Sequence, residues 1–221
     1  MNGKHMKEEI RKTLADTRVV AIIRGFDPDT CLHLAEAYAE GGIRLVEVTF
    51  NQSSPGDWIK TVEAIKAIRG RFDDVMHVGA GTVITEEQLS RCENAGGVFM
   101  VSPNVNAALI RSCVGRGMVA MPGAMTPTEA VDAWKAGAQY VKVFPAGSLG
   151  AGYVKALRAP LSHIPMLAVG GVSAANAAEF IQAGCVGVGV GGNLTNKEWV
   201  ASGSWDKIAA AARELVESLK V

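Results

Sequence analysis

The strongest constraint on this chain is a repeated alternation. Eight times in order, a short apolar run rich in β-branched residues is followed by a stretch of helical periodicity. The apolar runs are VVAIIR (19–24), RLVEVTF (44–50), MHVGAGT (76–82), VFMVSP (98–103), MVAMPGA (118–124), YVKVFPA (140–146), PMLAVGG (165–171) and VGVGVGG (186–192). Helical patterns follow at 27–42, 57–70, 85–97, 106–117, 126–138, a looser 150–160, 173–184 and 204–220. The repeat of roughly 25 residues suits strand, loop, helix and return loop. The runs lack strict polar alternation, as strands buried on both faces of a parallel sheet do. Asp27, Thr85, Thr126 and Ser173 stand where helix N-caps belong, and Gly41, Gly96, Gly137 and Gly184 where a left-handed C-terminal residue belongs. A further helix, 6–16, precedes the first strand and is placed to close the bottom of a barrel. The expectation is an α/β fold, a (β/α)8 TIM barrel with an additional N-terminal helix, forming a single domain over residues 1–221. A doubly wound open sheet is the competitor, but the first strand runs into IIRGFDP, without its glycine fingerprint.

The 22 basic and 22 acidic residues balance to zero net charge, and no basic stripe or acidic tail stands out. Nothing electrostatic supports binding to nucleic acid or to an anionic membrane. No apolar run approaches the roughly 18 residues of a membrane span. The opening MNGKHMKEEIRK has no apolar core, so no secretory signal is expected. Cys31, Cys92, Cys113 and Cys185 form no C-x-x-C pair and read as buried thiols in a reducing cytoplasm. His5, His33, His77 and His163 are scattered without metal-ligand spacing, so no metal is expected. Neither a nucleophile elbow nor a Walker A loop occurs.

Reactive side chains of such a barrel gather at the C-terminal strand ends. Lys142 lies inside the otherwise apolar YVKVFPA. An inward-facing lysine is desolvated, which lowers its pKa and leaves part of it as free amine, a nucleophile for a ketone. Two other readings stay open on position alone: a lysine snorkelling outward, or half of a structural ion pair. Glu47 shares one strand face with Leu45 and Thr49. Inside a barrel near an amine it either moves protons or completes a salt bridge that only stabilises. Arg24, ending the first strand, offers a planar fork for a carboxylate or a rim salt bridge. Thr82 and Ser102 are strand-end hydroxyls that can donate to substrate oxygens. Gly170-Gly171 and Gly191-Gly192 follow strands seven and eight, where barrels often cradle a phosphate.

The ordered strings VAIIRG, EVTF, GAGTVIT, VSPNVN, PGAMTPTEA, VKVFPAGSLG and AVGGVSAANAAEFIQAG resemble the 2-dehydro-3-deoxy-6-phosphogluconate/4-hydroxy-2-oxoglutarate aldolase family from about residue 14 to residue 194. The resemblance implies a (β/α)8 barrel assembled as a homotrimer that needs no cofactor. It implies a class I aldolase cleaving a 2-keto-3-deoxy (phospho)sugar acid or 4-hydroxy-2-oxoglutarate to pyruvate and an aldehyde, glyceraldehyde 3-phosphate or glyoxylate. Lys142 aligns with the Schiff-base lysine and Glu47 with the general acid/base. Arg24, Thr82 and Pro103 align with the pyruvate end, and Thr49, Asn51 and Phe144 complete the expected substrate-binding set. Gly170, Gly171, Gly191, Gly192 and Asn193 are the expected phosphate-binding residues.

The chain departs from the phosphogluconate pattern in places. Where those members often read E-V-T-L-R-T, it reads Glu47-Val48-Thr49-Phe50-Asn51-Gln52, without the substrate-binding arginine. It has Ala168-Val169-Gly170-Gly171 for P-T-G-G, which is similar to the galactonate branch, and Asn193 where serine is frequent. These positions leave the sugar configuration and the need for a phosphate open. Two alternatives stand beside the aldolase: a phosphate-binding barrel isomerase that needs a base but no imine, and a non-catalytic small-molecule-binding barrel.

Overall fold

A computed structural model describes residues 3–220. Its strands are β1 (Val19–Ile23), β2 (Leu45–Thr49), β3 (His77–Gly81), β4 (Phe99–Val101), β5 (Val119–Met121), β6 (Gly123–Ala124), β7 (Val141–Val143), β8 (Met166–Val169) and β9 (Gly187–Val190). They form one parallel sheet in the order β5-β4-β3-β2-β1-β9-β8-β7-β6. β5 and β6 are one stave interrupted at Pro122, which has no N–H for the ladder. The seam closes through the Lys142 amide donating to the Pro122 carbonyl at 2.8 Å and Gln139 N donating to Ala120 O at 3.2 Å. The expected eight-stave barrel is present, with its fifth stave in two pieces.

Around it run α1 (Gly3–Thr17), α2 (Pro28–Glu40), α3 (Trp58–Phe72), α4 (Glu86–Asn94), α5 (Ala107–Gly115), α6 (Pro127–Lys135), α7 (Ala146–Arg158), α8 (Ala177–Gln182), α9 (Lys197–Ala201) and α10 (Trp205–Ser218). Thr85 and Thr126 form full capping boxes with Gln88 and Glu129, and Asp27 accepts from Thr30 N. Each box satisfies backbone donors that the helix itself leaves free.

Three local readings need correction. Ser173 does not cap α8, which starts at Ala177; Asn176 Oδ1 accepts from Ser173 N instead and the chain makes a turn first. Gly41 is in right-handed geometry at φ −75°, and Gly42, at φ +93°, makes the left-handed turn. Gly41 is small for another reason: a Cβ there would strike Ala212 Cβ and Ala209 O, so it is the contact that lets α2 lie against α10. The looser sixth segment is helical from Ala146, with a break at Gly150 (φ 81°). Helix α9 was not expected.

Two apolar layers hold the barrel. Outside it, the helices pack on the strands around Leu34, Ile65, Cys92 and Ile208. Inside it, Met6, Ile10 and Leu14 of α1 plug the bottom against Val20, Leu45, Phe99, Val119, Tyr140 and Leu167. Each large aliphatic side chain so buried contributes about 1.5–3 kcal/mol. No helix among the described residues is long and apolar enough to cross a membrane.

Candidate active site

Above the apolar plug the barrel interior turns ionic. Strand alternation points Leu45, Glu47 and Thr49 inward from β2 and Lys142 inward from β7. Glu47 is 2% exposed and Lys142 7%, and both line the same small interior void with Val101 and Met121. The outward-snorkelling reading of Lys142 therefore does not hold. Nor does the structural salt bridge, because among the described residues no hydrogen bond or ion pair joins Lys142 to Glu47. They act on each other as charges through space.

Burial is the main cause of both pKa shifts. It raises the Glu47 carboxyl, against the pull of the Lys142 and Arg24 cations. It lowers the Lys142 ammonium, opposed by Glu47 and helped by Arg24. The two shifts move toward each other, a perturbation that marks the pair as a candidate for function. Lys142 Nζ also sits 4.7 Å from the centroid of the Phe144 ring, whose π-face favours a cation at that nitrogen.

Room for the carboxyl comes from β3. A Cβ at Gly81 would collide with Glu47 Oε1 and approach Thr49 Oγ1 to 3.0 Å. The third strand thus ends in Gly81 because the neighbouring stave carries the acid, whereas its other glycine, Gly79, makes room for Phe99. The Thr49 hydroxyl is buried beside Glu47 with no hydrogen-bond partner.

Over this pair opens a cleft of about 850 Å³ at the C-terminal strand ends. Of the residues expected from sequence, Arg24, Thr82, Pro103, Phe144, Gly170, Gly171, Gly191, Gly192 and Asn193 line it together with Lys142. Glu47 lies under its floor, the two spaces sharing Ile22, Lys142, Val169 and Gly189 as walls. The loops after β8 and β9 are tied together where Asn193 Nδ2 donates to Val172 O at 2.8 Å. Asn51 does not reach the cleft: its Oδ1 accepts from Ser53 N at 3.0 Å within its own loop. Gln52 is also engaged elsewhere, so neither side chain takes the place of the absent arginine. Ser102 Oγ donates to Asn104 O at 2.7 Å and serves its own turn.

Sequence reasoning missed Lys197. It stands at the start of α9 and lines the cleft, as Thr195 does. Asn196, which caps α9 through its side chain, was the signal that could have revealed the short helix. With it, the cleft has three cationic side chains, Arg24, Lys142 and Lys197, and no carboxylate on its walls. Among the described residues no group of three or more His, Cys, Asp or Glu could hold a metal ion. The other large depressions, about 400 and 680 Å³, lie against α1 at the opposite end of the barrel.

A buried amine and acid beneath a cation-lined barrel mouth suit carbon–carbon lyase chemistry, and comparison with known proteins gives the same class. The family model described as KDPG and KHG aldolase matches residues 10–211, and the chain belongs to that family of lyases. It is 42% identical over 177 residues to the 2-dehydro-3-deoxy-6-phosphogalactonate aldolase of Escherichia coli, covering 80% of this chain and 83% of that protein. It is 32% identical over 213 residues to the 2-dehydro-3-deoxy-phosphogluconate aldolase of Treponema pallidum, covering 96% and 98%. A solved structure described as native KDPGal superimposes with TM-score 0.81 at 37% identity, over 90% of this chain and 93% of that one. These likenesses do not favour the isomerase or the non-catalytic barrel.

Proposed function

We propose that the protein cleaves a phosphorylated 2-oxo-3-deoxy sugar acid of the galactonate type to pyruvate and glyceraldehyde 3-phosphate, through an imine on Lys142. The observation that carries this is the buried, unbridged Lys142–Glu47 pair at the base of a cleft whose walls add Arg24 and Lys197 and no acid. A substrate with a carboxylate at one end and a phosphate at the other matches that charge distribution. The galactonate configuration is supported by the 42% identity to the E. coli phosphogalactonate enzyme and by Ala168-Val169-Gly170-Gly171, which is similar to the galactonate branch.

In this reading Arg24 and the Thr82 loop receive the carboxylate. The Lys142 amine attacks C2, and the carbinolamine takes up a proton from solvent and loses water to give the protonated imine. Glu47 takes the proton of the C4 hydroxyl, directly or through one water. The C3–C4 bond breaks, its electron pair passes into the enamine, and the aldehyde departs. Glu47 then returns the proton to C3, and water adds to C2 to release pyruvate, the free amine and the proton taken up when the imine formed. Gly170, Gly171, Gly191, Gly192 and Asn193 offer backbone and amide donors to the phosphate, with Lys197 adding charge. In this reading the protein works as a homotrimer, as the family resemblance implies, and in the cytoplasm, which the four buried, unpaired cysteines support.

Borohydride reduction in the presence of pyruvate, followed by peptide mass mapping, tests the imine. A reduced pyruvyl adduct on Lys142 is expected; labelling of no lysine would remove the imine mechanism. The phosphate end has its own test. Lys197→Ala should raise KM for the phosphorylated acid about tenfold, the worth of one charged hydrogen bond, and leave KM for the dephosphorylated acid unchanged. Equal effects on both substrates would place the phosphate elsewhere.

A further inference from the structure

We propose that Gln52 is a positioning residue: it clamps the backbone of Thr82 and so sets the shape of the loop that receives the 2-oxo acid carboxylate. The proposal rests on the reading of Thr82 given above. Thr82 has φ +54°, and Arg18 is the other non-glycine residue at positive φ among those described. A β-branched residue resists this left-handed region, and such a conformation persists only where the surroundings over-determine it.

Gln52 supplies that constraint. Its Nε2 donates to Thr82 O at 2.8 Å and to Phe50 O at 3.3 Å, so one amide bridges the ends of β2 and β3. Its Oε1 accepts from Gln88 Nε2 at 2.9 Å. Gln88, fully buried on α4, then accepts at Oε1 from Ile84 N at 2.8 Å and Thr85 N at 3.2 Å. Two carboxamides in series therefore grip residues 82 to 85. Only one orientation of the Gln52 amide works, since a flip would set its oxygen against two carbonyls and its NH2 against that of Gln88. The Gln52 side chain is not on the cleft wall, whereas Thr82 is. It acts through Thr82, not on the substrate.

The experiment measures pyruvate-dependent C3 proton exchange in deuterium oxide, which uses the carboxylate end and Lys142 but not the phosphate end. Gln52→Met keeps the length and removes every hydrogen bond. It should raise the half-saturating pyruvate concentration about tenfold, with the maximal exchange rate within about twofold of wild type. Gln52→Glu, which places an anionic oxygen against the Thr82 carbonyl, should raise it further. Thr82→Ala is the control for the underlying reading. If it raises the pyruvate constant and the Gln52 variants do not, the positioning role is overturned and the reading of the cleft survives. If Thr82→Ala leaves the constant unchanged, the carboxylate is held elsewhere and the proposal falls with that reading. A Gln52→Met protein with a lowered melting temperature and maximal rate but an unchanged pyruvate constant would show a structural tie only, which also overturns it.

Discussion

Lys142→Arg will abolish both sugar-acid cleavage and labelling by pyruvate and borohydride. The substitution is chosen to separate charge from nucleophilicity. A guanidinium keeps a positive charge opposite Glu47 and spans a similar length, yet it is never deprotonated in a protein and forms no imine. Loss of a covalent nucleophile costs on the order of 10⁴–10⁶-fold in turnover. The assay is pyruvate release from the phosphorylated acid, with a thermal melt to confirm that the barrel still folds. A variant retaining a tenth of wild-type turnover would mean that Lys142 contributes only charge, and the imine mechanism would fall.

Glu47→Gln has the second largest expected effect, and it should divide the reaction in two. Imine formation should persist, so pyruvate still labels Lys142 under borohydride. Cleavage should slow by about 10²–10⁴-fold, the usual worth of one positioned acid/base. A variant with normal turnover would end the catalytic role of Glu47. The same variant carries a pH signature. The Glu47 charge raises the Lys142 pKa against the effect of burial, so removing it should move the acidic limb of the pyruvate-labelling profile to lower pH. Stability should respond with the opposite partner in view. Burial raises the Glu47 pKa, so its stabilising contribution is complete below the ordinary carboxylate pKa and is lost as pH climbs through the raised one. Relative to wild type, the glutamine variant should gain stability as pH rises through that window, read from melting temperatures across pH.

The barrel was legible because each stave announces itself twice, as an apolar run and by the helix that follows. The inward placement of Lys142 and Glu47 was legible for a similar reason, since a charged residue inside an otherwise apolar strand has few comfortable destinations. What stayed hidden depends on distances along surfaces that no periodicity encodes. Gly41 reads as a C-terminal turn until α10, more than 160 residues later, is seen to touch it. Asn51 and Gln52 are adjacent polar residues in one loop, yet one folds back on its own turn and the other reaches across to Thr82. Lys197 lies in a segment too short and too polar to register as a helix, and its proximity to the β8 loop is set by barrel closure.

The interruption of the fifth stave at Pro122 bears on how such a protein can change over time. The Lys142 amide is held by the Pro122 carbonyl on one side, and β7 pairs with β8 on the other, Lys142 lying opposite Leu167. Lys142 is thus anchored in ladder hydrogen bonds at the cleft floor, while Asn193 and Lys197 lie on the loops that wall the cleft. Substitutions on these loops can exchange one aldehyde partner for another without moving the amine or the acid beneath them. In the proposed mechanism, substrate preference and bond-breaking power therefore sit on separate parts of the chain, and descendants of this sequence can trade the first while inheriting the second intact.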